Sequence, residues 1–365
     1  MRPIHCLALL LSITILGFVG AKPLPPKGKD EPAPTFKPLD LAGALNENDP
    51  KDEKLNHPSR KFPIKLAKDK TYVIDMVSKD FDTYLRVLDK TGKQLAEDDD
   101  GGGDLNSRII LSPTENGDHT IVATTFDGQV GKFTLKVREL NLKGEAKARP
   151  VGKDGITLEG EIGQNDATDL DKLSKVLTVQ IKGGGPSHIF EVKSEDFDPQ
   201  VYVFNAKGKL LGQDPEKVVS ATPGDGIYHI VVKSFDSQLG KFEVKVRSFA
   251  IKGEAEPREL GKDGLKITAQ IGEKDMTPIG KFGKIYSVQL KAGQTYEIYQ
   301  EAQNLSSYLY LFDRASALLA QDDGTADPNS KLMFRAEHDG IYHILATTVL
   351  GLETGEFTLT VRKKL

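Results

Sequence analysis

Gly226-Ile227-Tyr228-His229-Ile230-Val231-Val232, and again Gly340-Ile341-Tyr342-His343-Ile344-Leu345, decide the fold. Each opens on a glycine and then alternates, the period-two pattern of a strand with one face in a core. Gly117 opens a comparable run. Beyond each run a Gly-Lys-Phe or Gly-Glu-Phe step starts another strand: Gly131-Lys132-Phe133, Gly240-Lys241-Phe242 and Gly355-Glu356-Phe357. Those strands end in Val137-Arg138, Val246-Arg247 and Val361-Arg362. One pattern recurring at long spacing marks duplicated units.

The residues upstream repeat in the same order. Each unit starts with an alternating strand and an Asp four residues past its last apolar position: Leu41 to Leu45 with Asp49, Leu158 to Ile162 with Asp166, Ile267 to Ile271 with Asp275. Then come Phe62 to Leu66, Leu177 to Ile181 and Tyr286 to Leu290. Next are Thr71 to Ile74, His188 to Val192 and Thr295 to Ile298. The fourth set is Tyr84 to Leu88, Val201 to Phe204 and Tyr308 to Phe312. Even the connectors match, Lys143-Gly144-Glu145-Ala146 recurring as Lys252-Gly253-Glu254-Ala255. No long segment carries helical periodicity. About eight short strands in roughly 100 residues predict an all-β chain of three tandem jelly-roll-like β-sandwich domains. Their expected bounds are 38–140, 153–249 and 262–365. Each unit should hold its own core and fold alone, as beads rather than a solenoid.

The pattern resembles the bacterial pre-peptidase C-terminal domain, a jelly-roll-like sandwich often appended to secreted peptidases. Lys79-Asp80-Phe81-Asp82-Thr83-Tyr84-Leu85, Asp89 to Gly92, Leu95-Ala96 into Asp98-Asp99-Asp100, and Asn106-Ser107-Arg108-Ile109 carry the resemblance. In the third copy Tyr308-Leu309, Leu319-Ala320, Asp322-Asp323, Asn329-Ser330 and Gly340-Ile341-Tyr342 match. Copy 2 keeps Phe197-Asp198, but its acidic loop shrinks to Asp214-Pro215-Glu216. The family usually accompanies a catalytic domain, and none is visible here.

Leu7 to Phe18 is almost unbroken apolar sequence, preceded by Arg2 and His5 and followed by Val19-Gly20-Ala21. That layout reads as a secretory signal over 1–21, because the run is too short for the roughly 20 residues that span a bilayer. The Pro- and Lys-rich stretch 22–37 reads as an extended tether. The lone cysteine, Cys6, lies inside the signal, so the exported chain has no thiol nucleophile, disulfide or cysteine metal site. With 38% hydrophobic and 28% charged residues the composition is that of a globular domain. At a net charge of −4 with no basic stripe, nucleic acid is excluded as an expected partner.

The acidic loops are the candidate sites. Asp99-Asp100-Gly101-Gly102-Gly103-Asp104-Leu105-Asn106 aligns with Asp322-Asp323-Gly324-Thr325-Ala326-Asp327-Pro328-Asn329. A hard cation such as calcium takes about six to eight oxygens, and a carboxylate-rich loop turned by glycines supplies several. Asp82 offers one more ligand, where copy 3 has Ser306. The metal candidates are therefore Asp82, Asp99, Asp100, Asp104 and Asn106, with Asp322, Asp323, Asp327 and Asn329. The alternative is a solvated turn in which these side chains satisfy local backbone donors. Copy 2 should not bind.

No nucleophile elbow, zinc-binding helix or phosphate loop is present. Gly183-Gly184-Gly185-Pro186 reads as a turn. His229 and His343 are expected on the outer sheet surface. Tyr84 and Tyr308 are expected in the core, with a shared binding face as the alternative for these and Tyr202. The expected function is an exported, non-catalytic binding or scaffold protein recognising an extracytoplasmic protein or polysaccharide, with no cofactor required and calcium as the one candidate. The alternatives are a cell-envelope structural spacer and an accessory protein of a secreted peptidase.

Overall fold

A computed structural model of the chain describes residues 33–68, 70–182, 187–222, 225–322 and 329–364. The expected signal, most of the tether and the Gly183–Pro186 turn lie outside them. Copy 1 contains β1 (Leu39–Ala44), β2 (Ser59–Leu66), β3 (Tyr72–Ser78), β4 (Thr83–Asp89), β5 (Gln94–Asp98), β6 (Ser107–Leu111), β7 (Gly117–Thr125) and β8 (Lys132–Glu139). A short β9 (Arg149–Val151) follows in the connector. Copy 2 contains β10 (Ile156–Ile162), β11 (Ser174–Ile181), β12 (Ser187–Lys193), β13 (Pro199–Asn205), β14 (Leu210–Asp214), β15 (Lys217–Ala221), β16 (Gly226–Ser234) and β17 (Gly240–Ser248). Copy 3 contains β18 (Leu265–Ile271), β19 (Gly283–Leu290), β20 (Thr295–Ala302), β21 (Ser307–Asp313), β22 (Leu318–Asp322), β23 (Ser330–Arg335), β24 (Gly340–Thr348) and β25 (Gly355–Lys363). Among the described residues there is no helix.

The protein is all-β, and each copy is a jelly-roll sandwich. A front sheet has the order β1-β8-β3-β6, β10-β17-β12-β15 or β18-β25-β20-β23. A back sheet has the order β2-β7-β4-β5, β11-β16-β13-β14 or β19-β24-β21-β22. In each copy the first strand therefore pairs with the last and the second with the seventh, the two-sheet weave of a jelly roll. One irregularity is copied with the fold. The fourth and fifth strands slip register between Val87 and Leu88, between Val203 and Phe204, and between Leu311 and Phe312. Bulges are kept as built features, so the same bulge three times supports duplication.

Alternation supplies each core. In β8, Phe133, Leu135 and Val137 face inward while Lys132, Thr134 and Lys136 are exposed. Ile74, Leu85, Ile121 and Leu135 pack between the sheets of copy 1; Phe190, Val203 and Ile230 do so in copy 2, and Ile298, Leu311 and Ile344 in copy 3.

The copies are not separate beads. The outer front face of copy 1 packs on the outer back face of copy 2, burying Val73, Ile110 and Leu140 against Tyr202, Phe204 and Val231. Copy 2 meets copy 3 in the same way, with Ile189, Val219 and Phe249 against Tyr310, Phe312 and Leu345. Backbone anchors repeat too. Leu210 N donates to Ser112 Oγ at 3.1 Å across the first contact, and Leu318 N donates to Ser187 Oγ at 2.9 Å across the second. Bead-like independence was expected because each unit closes a core of its own.

The connectors are stitched down as well. β9 adds to β11 as a parallel strand. Glu145 accepts from Thr178 N at 2.6 Å, and Glu254 from Ser287 N at 3.2 Å. His229 and His343 do stand on the outer face, but the connectors run over them, leaving His343 7% exposed. A Cβ on Gly144 would sit 2.1 Å from His229 Cε1, and one on Gly253 2.3 Å from His343 Nδ1, so only glycine lets the chain pass so close. The Nδ1 atoms of these histidines lie 3.1 Å from Thr178 Oγ1 and Ser287 Oγ beneath the connectors, and burial lowers the pKa of both.

The two end faces differ from the internal ones. On the outer back face of copy 1, Lys61, Arg86 and Gln94 occupy the places of Val176, Tyr202 and Leu210 in copy 2 and of Ile285, Tyr310 and Leu318 in copy 3. Its own β1–β2 loop covers this face: Asp52 pairs with Arg86, and Lys54 pairs with Glu97 at 2.5 Å. On the outer front face of copy 3, Glu297 stands where Val73 and Ile189 stand in copies 1 and 2, ringed by Lys331, Arg362 and Lys364.

Candidate functional site

Four connections gather at one end of each sandwich: first to second strand, third to fourth, fifth to sixth, and seventh to eighth. In copy 1, Leu45 N donates to Gly131 O, Thr83 N to Leu105 O and Phe126 N to Asp82 O, all within 3.1 Å. The stacking keeps these loop-rich ends on one side. Thr71 donates to Gly208 O at 2.6 Å between the opposite, loop-poor ends of copies 1 and 2. Arg108 reaches Asp171, itself paired with Lys233 at 2.8 Å, between the loop-rich ends. Across the second contact, Leu318 N donates to Ser187 Oγ between loop-poor ends, and Lys217 lies against Gly280 of the β18–β19 loop at the loop-rich end.

The acidic loop of copy 1 sits in this cluster. Asp98 closes it: one carboxylate oxygen accepts Gly101 N at 2.8 Å and Arg108 N at 2.6 Å. The other faces Gly101 and accepts no hydrogen bond. Burial pushes Asp98 up to about 7, against those two donors. Above it, Asp82 Oδ1 and Asp100 Oδ1 are also shielded from solvent without a donor. Burial, then Asp99 and Asp82, push Asp100 up to about 6. Burial, then Asp127 and Asp99, raise Asp82. The like charges crowd one another, and among the described residues no cation counters the rise of Asp82 and Asp100.

The sequence candidates separate into two roles. Asp82, Asp99 and Asp100 come together. Asp104 lies exposed at the loop's outer corner, in left-handed backbone with φ of 54°. Asn106 serves the fold: its amide nitrogen donates to Gly103 O at 2.9 Å, and its oxygen accepts Ser78 N at 3.1 Å. Asn329 likewise accepts Ala302 N at 3.0 Å in copy 3. Asp322 accepts Lys331 N at 2.8 Å and is set opposite Leu309 as Asp98 is opposite Leu85, so it takes the place of Asp98 and not the expected place of Asp99. Asp323 and Asp327 lie outside the described residues. In copy 2, Asp214 accepts Glu216 N and Lys217 N, making a tight turn with no pocket of oxygens.

Sequence reading missed Asp98 and Asp127, which reach the cluster from the end of β5 and from the β7–β8 loop. It also missed what the Asp-Phe step does. Asp80 accepts Lys132 N and Asp196 accepts Lys241 N, both at 2.7 Å, tying the third-to-fourth-strand loop to the last strand. The glycines before those lysines leave no room for a Cβ beside Asp80 and Asp196.

Among the described residues, no group of three or more carboxylate, imidazole or thiol side chains converges tightly enough to hold a metal as the loop stands. What fits a hard cation is the donor set: all-oxygen, with two shielded oxygens lacking any donor. On copy 2 the loop-rich end carries an open groove of about 1220 Å³, lined by Glu159, Glu161, Glu195, Asp196, Asp198 and Glu216 around Phe197. Tyr84, Tyr202 and Tyr308 are not among the core residues between the sheets. Tyr84 donates to Glu97 at 2.6 Å on the capped outer face, Tyr202 lies in the first copy-to-copy contact, and Tyr308 stacks on Tyr310 at 4.4 Å beside the second. Among the described residues no helix is long and apolar enough to cross a membrane.

No family model matches the chain, and no curated protein matches it. Solved structures with some likeness include the CUB1-EGF-CUB2 domain of human MASP-1/3, 8% identical over 57% of this chain and 99% of that one, with a TM-score of 0.18. The CUB1-EGF-CUB2 domains of rat MASP-1 are 11% identical over 59% of this chain and 100% of that one, with a TM-score of 0.18. A structure of Sulfolobus turreted icosahedral virus is 10% identical over 90% of each chain, again at 0.18. At such scores none of them bears on what this chain does.

Proposed function

We propose that the protein is an exported, non-catalytic scaffold of the pre-peptidase C-terminal type that presents three loop clusters to an extracytoplasmic protein or polysaccharide. The observation that carries this reading is the twice-repeated contact, which holds the loop-rich ends on one side of a stiff stack. Fixed spacing raises avidity when several ends engage together, without new contacts. A pull-down from envelope extract tests it: a scaffold captures a partner in stoichiometric amount, and a pure spacer captures none. Turnover in a peptidase or glycosidase panel, abolished by one substitution, would overturn the non-catalytic reading.

Calcium belongs to the same proposal, on Asp82, Asp99 and Asp100 of copy 1. A divalent cation would offset the burial and the like-charge crowding that raise Asp82 and Asp100. Titration calorimetry at pH 7.5 should show a site lost in Asp100→Ala, with Asp323→Ala reporting on copy 3. No heat at millimolar calcium removes the metal from the proposal.

A further inference from the structure

Large apolar side chains exposed to solvent are few, and they collect on the loop-rich side. Phe126 is 49% exposed, Leu239 44%, Leu350 62% and Leu352 63%. All four sit in one connection, the loop between the seventh and eighth strands, with at least one in each copy. Leu105, 54% exposed, stands beside Phe126 on the acidic loop of copy 1. Scattered exposed hydrophobes are ordinary, but the same loop carrying one in every copy, on one side of the stack, is a surface.

We propose that these tips are the anchors of a docking surface for a basic, apolar-studded protein segment; this rests on the loop-rich side being the recognition face. Charge picks the occupant. Phe126 N donates to Asp82 O, with Asp99, Asp100 and Asp127 close by. Phe235 N donates to Asp198 O, next to Asp236 and near Asp196. At the copy 3 tip Lys281 lies against Gly351, so the negative rim belongs to copies 1 and 2. Apolar anchors inside a charged rim are the anatomy of a protein interface, and a negative rim steers positive partners. The same rim repels the anionic surface of a bilayer. Spacing follows from the stacking. With sheets roughly 10 Å apart within and between sandwiches, neighbouring tips lie on the order of 20 Å apart, about six residues of extended chain.

The test uses fluorescence anisotropy on the full chain with three synthetic 20-residue peptides, each carrying leucines six residues apart on a lysine, glutamate or serine background. The lysine peptide should bind, and more weakly as salt rises. A variant with Phe126→Ser, Leu239→Ser, Leu350→Ser and Leu352→Ser should lose at least tenfold in affinity while melting as the parent does. Equal binding of the lysine and glutamate peptides overturns the proposal, as does an unchanged affinity in the serine variant. Tip-dependent sedimentation with phosphatidylcholine–phosphatidylglycerol vesicles would reassign the tips to lipid. A partner captured from envelope extract regardless of the tips would leave the scaffold reading standing and this one fallen.

Discussion

The contact between copies 1 and 2 and the contact between copies 2 and 3 have one geometry and two chemistries. Both lay a front sheet on a back sheet through aliphatic and aromatic side chains. The first adds charge: Arg108 lies between Asp75 and Asp171, and Lys233, only 5% exposed, also pairs with Asp171. Burial alone would raise Asp171, but Arg108 and Lys233 outweigh it and hold its carboxyl low. In the second contact Thr347 replaces Lys233, and Phe249 meets Phe312 edge-on at 5.8 Å. The Lys217–Glu191 pair, 3.7 Å apart, keeps the place of Arg108–Asp75, so the second contact docks without the Asp171–Lys233 half of the cluster. The ion cluster is costly to desolvate, and taking away one member leaves a buried charge without its counterpart.

Three substitutions break or sharpen that comparison. The largest effect belongs to Phe312→Ala, which empties the centre of the second contact and should cost about 3–5 kcal/mol. Calorimetry should then show copy 3 melting apart from the rest, and a single unsplit transition would refute the coupling. Arg108→Ala comes next, at about 3 kcal/mol, because it removes the partner of Asp75 and leaves Asp171 with Lys233 alone. Hydrogen exchange should rise at β6 and the β10–β11 loop and stay unchanged at the second contact. The smallest effect is one of pH. His188 of copy 2 stands where copies 1 and 3 have Tyr72 and Tyr296, and its Nδ1 lies 2.6 Å from Thr222 Oγ1. Burial lowers its pKa to about 4. Between that value and 6.5 the unfolded chain binds the proton that the fold refuses, so the stability from neutral His188 is present above pH 6.5 and lost as pH falls toward 4. His188→Tyr should remove that acid sensitivity from copy 2, read from melting curves at pH 7 and 5.

The strands were legible because alternation and turn glycines report one buried face. The stacking was legible only in retrospect. Val201-Tyr202-Val203-Phe204 and Leu309-Tyr310-Leu311-Phe312 are unbroken apolar runs, whereas Tyr84-Leu85-Arg86-Val87 is interrupted by a charge. A strand buried on both faces reads as continuous, so copies 2 and 3 announced a covered back sheet and copy 1 did not. In the site, Asp82, Asp99 and Asp100 could be read from spacing. Asn106 could not be sorted from them, since a loop-closing amide and a ligand look alike in sequence. Asp127 arrives from a connection distant in the chain.

The charged ends carry a last consequence. A contact that joins unlike faces can repeat without limit, and such head-to-tail assembly runs on into a fibre unless something stops it. Arg86 and Lys61 at one end and Glu297 with its cations at the other are the stops. A fourth unit added to either terminus would find no greasy seat. Only the middle member has two faces of the joining kind.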